Sequence, residues 1–350
     1  MVWENAVSLK FSRWPYRVLA LGLAGGTPLA ALACATCGCT LSADGAMGYA
    51  VNTGWRINFE YDYIDQDELR HGMHATSAQQ VVDAPSLPAL DGGEIEHGTL
   101  NRYFTLGLGY SPNPDWNLDL RLPYVERGHS TYGVQLQPYQ TAETAPGQLS
   151  STRVSGLGDA RFIASYQGLL AEKNLGLQLG IKLPTGSYGT AVKFSSGPIA
   201  GAPLDASLQA GTGSTDLIIG AYYYRAVSEN FGAFANVQLQ AAIAEAQHQP
   251  GDDFRPGNAA TLSFGLRYEA DPKWVPQLQV NLSRKDRDQG ALADVPDTAG
   301  TVAYVSPGMT IAVASNLHLY GFVQLPVYSE LAGYQLFPHW TAAVGANFAR

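Results

Sequence analysis

The residues of this chain with the most distinctive chemistry are its three cysteines, Cys34, Cys37 and Cys39, which fall within six residues of one another. Thiolates bind soft metals such as copper(I), zinc or an iron–sulfur cluster, and in an oxidising compartment they form disulfides. Acylation of Cys34, with the other two left over, is a third alternative. We favour a disulfide or acylation over a soft metal at these cysteines, and we expect no other cofactor.

Two histidine motifs are candidates for further chemistry. His71 and His74 are spaced so that they could ligate a metal, and His129-Ser130 could belong to a hydrolytic site. No cysteine lies near the first pair, and no orienting third group accompanies the second. The sequence therefore predicts solvated loop histidines at His71 and His74, and it does not predict an enzyme.

The cysteines directly follow a predicted export signal. Two arginines precede an apolar run at 18–33, and Ala31 and Ala33 form an Ala-x-Ala cleavage site that would leave Cys34 as the first mature residue. Glycines and a proline interrupt the run, which falls short of the roughly 20 apolar residues that a membrane span needs. We expect residues 1–33 to be removed.

The composition is unlike that of an ordinary soluble enzyme. Charged residues make up 15% of the chain, which also has 38 glycines and 19 tyrosines, whereas soluble domains have about 25% charged residues. The net charge of −9 and the lack of a basic cluster with interleaved aromatics exclude nucleic acid as a partner.

Apolar and polar side chains alternate from residue 54 onward. In 54–63, aromatic and aliphatic residues alternate with polar ones such as Arg56 and Glu60, and a strand would place the two sets on opposite faces. The same alternation recurs in 116–124 and 175–183. An alternation that gives each strand one apolar face and one charged face predicts strands that separate lipid from a polar interior.

About twelve such segments of roughly ten residues follow one another, which is the length that a tilted strand needs to cross a bilayer. Short turns rich in Asn, Asp and Pro alternate with long polar loops. The long loops are predicted at 65–97, 126–155, 185–212, 243–258, 286–300 and 329–339. Outer-membrane barrels have this asymmetry, with the short turns and both chain ends in the periplasm.

The predicted fold class is all-β, a transmembrane antiparallel β-barrel of about 12 strands. The barrel would occupy 54–350, preceded by the signal at 1–33 and by a periplasmic cysteine-containing segment at 34–53. The predicted location is the bacterial outer membrane, with outer-membrane lipid and lipopolysaccharide as partners. Acidic residues scattered in the long loops could bind the divalent cations that bridge lipopolysaccharide.

The polar rows of the strands would face the lumen of such a barrel. They mix both signs of charge, so they could pair with one another or form a polar eyelet that selects solutes. The candidate pore-lining residues are Arg56, Glu60, Asp119, Arg121, Asp159, Arg161, Lys182, Asp216, Arg267 and His318.

Three glycine-containing motifs stand out: GLGDAR at 156–161, GIKLPTG at 180–186 and GTGSTD at 211–216. They resemble the outer-membrane transporter-like family named after the MetA pathway of phenol degradation, and the resemblance extends from about residue 55 to the C-terminus. It implies a channel for passive uptake of small, aromatic or hydrophobic solutes. The alternative is a barrel scaffold that presents the cysteine segment to a periplasmic metal or redox partner.

Overall fold

A computed structural model describes residues 53–83, 95–132 and 149–350 of the chain. Almost all of the regular structure is antiparallel β. In chain order, the strands are β1 (Gly54–Gly72), β2 (His74–Ala75), β3 (Glu96–Asn113), β4 (Trp116–Thr131), β5 (Ser150–Leu157), β6 (Ala160–Tyr166), β7 (Leu175–Leu183), β8 (Ser214–Ala226), β9 (Phe231–Glu245), β10 (His248–Gln249), β11 (Asp252–Asp253), β12 (Ala259–Tyr268), β13 (Trp274–Lys285), β14 (Gly300–Ala314) and β15 (Leu317–Ala349).

The described residues also contain a short α-helix, Ala78–Asp83, and two 3-10 turns, Ala206–Leu208 and Val295–Asp297. The α-helix begins with a capping box: the backbone amide of Gln80 donates to Ser77 Oγ, and the amide of Ser77 donates to Gln80 Oε1 at 2.9 Å. Among the described residues, no helix has the length and apolar character to cross a bilayer.

The sheet closes on itself. β15 pairs with β1 from Arg56 opposite Ala349 to His71 opposite Tyr334, while each of the other barrel strands pairs with its neighbours along the chain. Closure gives each strand of the barrel path a neighbour on both sides, while β2 and β5 each pair with one strand. Because lipid offers no hydrogen bonds to an exposed sheet edge, a closed barrel is the β-structure that can span a membrane.

The last strand element, β15, supplies two of the crossings. Its first half, to Leu331, runs antiparallel to β14, and its second half runs antiparallel to β1. The chain reverses near Gly333, which has a φ of +56° that glycine adopts without a steric penalty. The barrel path has eleven strand elements, and β15 counts twice, so the predicted antiparallel barrel of about 12 strands is confirmed.

The two faces of the strands differ as the alternation predicts. Trp55 and Phe59 are 60% and 51% exposed, whereas Glu60 and Asp62, on the same strand, are 5% and 3% exposed. Apolar side chains therefore cover the outside of the barrel, where lipid solvates them, and polar side chains fill the interior.

Aromatic residues ring the outer surface near both ends of the strands. At the end with the short turns, the rings of Trp55 and Tyr110 lie 4.7 Å apart; towards the long loops, Tyr63 and Trp340 stack at 5.5 Å. Tyr and Trp favour the two membrane interfaces because each ring has an apolar body and a polar tip. We call the half of the barrel towards the short turns the inner half, and the half towards the long loops the outer half.

The predicted bounds of several long loops are wrong. β1 continues to Gly72, β4 continues to Thr131, and β15 runs through the whole of the predicted loop at 329–339. The sequence predicted loops here because polar residues in these segments no longer alternate with apolar, lipid-facing residues. Beyond the bilayer both faces of a hairpin can be polar, and the strands still pair through their backbones.

Candidate channel lumen

The inner half of the lumen contains a small polar cavity of about 20 Å³. This volume is close to that of one enclosed water molecule. Its lining residues are Arg56, Asn58, Glu60, Thr105, Gly107, Gly109, Asp119, Arg121 and Asn347. Four of the candidate pore-lining residues, Arg56, Glu60, Asp119 and Arg121, are therefore brought together here.

The charges around this cavity are bonded to one another and to neutral groups. Arg121 Nε lies 2.6 Å from Asp119 Oδ1, and Tyr320 donates its hydroxyl to Glu60 Oε2 at 2.7 Å. Arg56 donates to Ser111 and to Asn117. These hydrogen bonds hold the side chains around the cavity in fixed rotamers. The width of the lumen at this height therefore depends on the rotamers of these side chains as well as on the positions of the strands.

A second cluster surrounds Lys182 at the outer end of β7. Its Nζ lies 2.9 Å from Asp159 Oδ2 and 3.4 Å from Asp216 Oδ2, and it also donates to Thr212 Oγ1 and to both oxygens of Ser214. Lys182 is 3% exposed. The three glycine-containing motifs meet in this cluster, because each contributes one of its charged residues.

The cluster also closes the base of the loop between β7 and β8, which we call loop 184–213. Asp159 accepts the backbone amides of Gly186 and Thr212, at 3.2 and 3.0 Å, and these residues stand at the two ends of the loop. A Cβ on Gly186 would come within 2.8 Å of the backbone of Gly211. Glycine at these positions lets the two ends of the loop touch.

The remaining candidates lie apart from the two clusters. Arg161 lies on the inner face directly between Arg121 and Lys182 in the strand register, which makes a row of three cations across β4, β6 and β7. Arg267 contacts Glu269 at 2.9 Å, near the short turns. His318 is half-buried and shares the face of Tyr320.

Apolar side chains also line the outer half of the lumen. One cluster joins Val302, Tyr304, Leu331 and Phe337, and another joins Val154 to Phe194, Leu204 and Leu208 of loop 184–213. A further cluster of Leu69, Val81 of the helix, Ile95 and Leu336 lies on the opposite face of the wall, because Leu336 directly precedes Phe337 on the same strand. Our sequence reasoning followed only the polar rows and missed these residues. The sequence contained one signal for them: an apolar residue at a position that the alternation assigns to the interior, such as Ile64, two residues after Asp62.

Arg127 was missed as well, because β4 was predicted to end before it. Its guanidinium donates to Asn101 Oδ1 at 2.5 Å and to Tyr103 Oη at 2.9 Å. It also donates to the backbone carbonyls of Leu208 and Gln209, at 2.5 and 3.1 Å. Arg127 therefore holds the end of loop 184–213 against the inner face of β4. Its period-two spacing from Arg121 was a signal that could have found it.

The His129-Ser130 motif does not form a hydrolytic pair. His129 is buried, and its Nδ1 bonds Thr99 Oγ1 at 2.8 Å, whereas Ser130 bonds the exposed His97 at 3.0 Å. Successive residues of a strand point to opposite faces, so β4 separates the two side chains across the barrel wall.

His71 and His74 face each other across the tight turn between β1 and β2. The ring of His71 lies 4.7 Å from that of Tyr334, and the described ranges contain no cluster of three or more His, Cys, Asp or Glu side chains placed to hold a metal. Nearby, burial holds the pKa of Asp297 above its usual value. The backbone hydrogen bond from Tyr334 and the charges of Arg287 and His71 oppose this shift without cancelling it. His71 thus belongs to the packing of the outer loops.

The three cysteines, the signal and the segment 34–53 lie outside the described residues, apart from Thr53. The disulfide, acyl and metal alternatives at Cys34, Cys37 and Cys39 stay predictions, as does a periplasmic partner at this segment.

The closed barrel, its aromatic girdles and its charged interior define an outer-membrane β-barrel. The chain belongs to the family described as "Putative MetA-pathway of phenol degradation", whose sequence profile matches residues 115–334. The resemblance seen in the three motifs is thereby confirmed. No functionally curated protein matches the chain in sequence.

A solved structure shares the fold, and two others are similar over most of the chain. The COG4313 outer membrane channel from Pseudomonas putida F1 is 13% identical with a TM-score of 0.60, over 86% of this chain and 97% of that one. The CymD monoaromatic hydrocarbon channel is 12% identical with a TM-score of 0.43, over 89% and 93%. The Ralstonia pickettii toluene transporter TbuX is 10% identical with a TM-score of 0.43, over 85% and 90%. The COG4313 channel supports the outer-membrane β-barrel fold of this chain.

Proposed function

We propose that the chain is a passive channel for the uptake of small, aromatic or hydrophobic solutes. The observation that carries this proposal is the apolar character of the outer half of the lumen. Val302, Leu331 and Phe337 are nearly fully buried on the inside of the barrel, at positions where a channel for hydrophilic solutes would have polar side chains.

The energetics favour an apolar solute at this place. Removing roughly 200 Å² of apolar surface from water is worth about 5 kcal/mol, so a one-ring solute would enter the outer half of the lumen from solution. The polar cavity of the inner half offers no such gain, which favours release towards the periplasm. A family described by phenol degradation is consistent with aromatic cargo.

The proposal is tested by uptake into cells whose own outer membrane excludes toluene. A Gram-negative host without hydrophobic-solute channels should take up labelled toluene faster when it expresses the wild type, while arabinose uptake changes little. The double variant Val302→Asn/Leu331→Asn should lower the toluene rate by about tenfold, because it places two amides where the apolar solute would bind.

The matched control is Val295→Asn, which makes the same kind of change at an exposed loop residue. It should leave toluene uptake at the wild-type rate. Toluene uptake no faster than in host cells without the channel would contradict the proposal.

A further inference from the structure

Arg127 differs from the other buried cations of the barrel. Within the described ranges, four cations are buried: Arg127, Lys182, Arg267 and Lys285 are 4%, 3%, 6% and 4% exposed. Lys182, Arg267 and Lys285 each have a carboxylate within 2.9 Å, from Asp159, Glu269 and Asp288 respectively. Arg127 forms no ion pair with any described residue.

All of the acceptors that Arg127 contacts are neutral. They are an amide oxygen of Asn101, the hydroxyl of Tyr103 and the carbonyls of Leu208 and Gln209. A buried charge without an opposite charge is costly, and a hydrogen bond from a guanidinium to a carboxylate is about twice as strong as one to a neutral acceptor. Arg127 is therefore a cation that a carboxylate from outside the described chain could satisfy better.

The surroundings of Arg127 suit an aromatic body. Val154 lies directly opposite it on β5 and packs in one cluster with Phe194 and Leu208 of loop 184–213. The ring of His129, two residues along β4, lies 5.9 Å from that of Phe194. An acid with a flat apolar ring can contact these side chains while its carboxylate reaches the guanidinium.

We propose that Arg127 binds the carboxylate of small aromatic acids, and that this carboxylate displaces the carbonyls of Leu208 and Gln209. This proposal rests on the proposed function and narrows its substrate class. Loop 184–213 then keeps its apolar cluster, the contacts of Asp159 at its base and its hydrogen bonds to Ser151 and Thr152 of β5. Acid binding therefore frees only the end of the loop, at Leu208 and Gln209, from the wall of β4. The solute thus loosens the contact between the end of the loop and the barrel wall.

The experiment uses the purified full chain in detergent and in planar bilayers, with benzoate as the probe. Benzoate should bind about tenfold more tightly than benzyl alcohol, which has the same ring without the charge, and more tightly than inorganic phosphate, which has the charge without the ring. In bilayers, benzoate should raise the open probability at concentrations where benzyl alcohol does not. These comparisons need no variant.

Arg127→Gln should lower the affinity for benzoate by about tenfold or more without changing that for benzyl alcohol, and Arg127→Lys should keep part of the preference. The matched control is Arg153→Gln on β5, whose side chain is exposed, and it should bind benzoate as the wild type does. Equal binding of benzoate and benzyl alcohol, or of benzoate and phosphate, would overturn the proposal.

This failure can be distinguished from failure of the proposed function. If the wild type shows no preference for benzoate but still carries toluene into cells, only the carboxylate site is wrong. If toluene uptake also fails, the channel proposal fails with it.

Discussion

The ammonium of Lys182 shows how single residues in the lumen acquire a role that their type does not reveal. As a candidate pore-lining residue it could have faced a solute, but Asp159, Asp216, Thr212 and Ser214 surround it. Arg121 also carries a positive charge and also points to the inside of the barrel, yet it lines the cavity of the inner half. The two cations therefore have different expected roles: Lys182 fixes the base of loop 184–213, and Arg121 is placed to meet a solute.

Replacing Lys182 tests the structural role. Lys182→Met should lower the free energy of unfolding by about 3–5 kcal/mol, because it leaves two buried carboxylates without a cation. Urea unfolding of the protein in detergent measures this. Lys273→Met, at an exposed turn residue, is the control and should change stability by less than about 0.5 kcal/mol. Similar losses in both variants would show that the cluster does not stabilise the barrel.

At the scale of elements, neighbouring strands interlock inside the barrel through aromatic rings that lie over glycines. A Cβ on Gly308 of β14 would come within 2.0 Å of the ring of Phe322 on β15, and one on Gly265 of β12 within 2.2 Å of the ring of Phe234 on β9. Both rings are buried. Glycine is needed here for space, so that a large ring can lie flat against the adjacent strand.

Adding a methyl group under such a ring should loosen the strand pair. We expect Gly308→Ala to destabilise the barrel by about 1–3 kcal/mol, since Phe322 must leave its rotamer or the strands must move apart. Gly128→Ala on β4 is the matched control, because a Cβ there meets nothing within 4 Å. The urea midpoint of Gly308→Ala should recover in part when Phe322→Leu is added. No difference between the two alanine variants would contradict this account.

At the scale of the whole molecule, the barrel has two zones in series. Apolar clusters line the outer half of the lumen, and a charged cavity lies in the inner half. The zones can be distinct because closure fixes every strand in register, so that inward side chains from residues far apart in the chain lie at one height. The contact between β1 and β15 is therefore a condition for this arrangement.

The closure can be tested with one cross-link. Asn58 of β1 lies directly opposite Asn347 of β15, and opposite residues of antiparallel strands have Cα atoms about 4.5–5.5 Å apart, within the range of a disulfide. The test uses a variant in which the three native cysteines are changed to serine. In this background, Asn58→Cys/Asn347→Cys should form an intramolecular disulfide on oxidation. The disulfide should change the mobility of the protein on a denaturing gel, and a reductant should reverse that change. Asn58→Cys/Phe348→Cys places the thiols on opposite faces and should not cross-link. Cross-linking in neither pair would contradict the register.

The sequence by itself determined the barrel, its strands and the face on which each strand residue lies. These properties are local: a period of two in 54–63 or 175–183 is visible without knowledge of any other strand. The same period placed Arg56, Glu60 and Arg121 in the interior, but it could not show which of them would share a cavity.

Only the tertiary structure decided what each inward residue meets. Arg127 contacts loop residues more than 80 positions along the chain, and the long hairpins beyond the bilayer were predicted as loops because their pairing leaves no alternating pattern. Leu69 and Leu336 meet through barrel closure, a contact between the two ends of the chain. Periodicity reports the face of a strand, whereas long-range packing determines the neighbours across the lumen, and the chemistry of the channel depends on those neighbours.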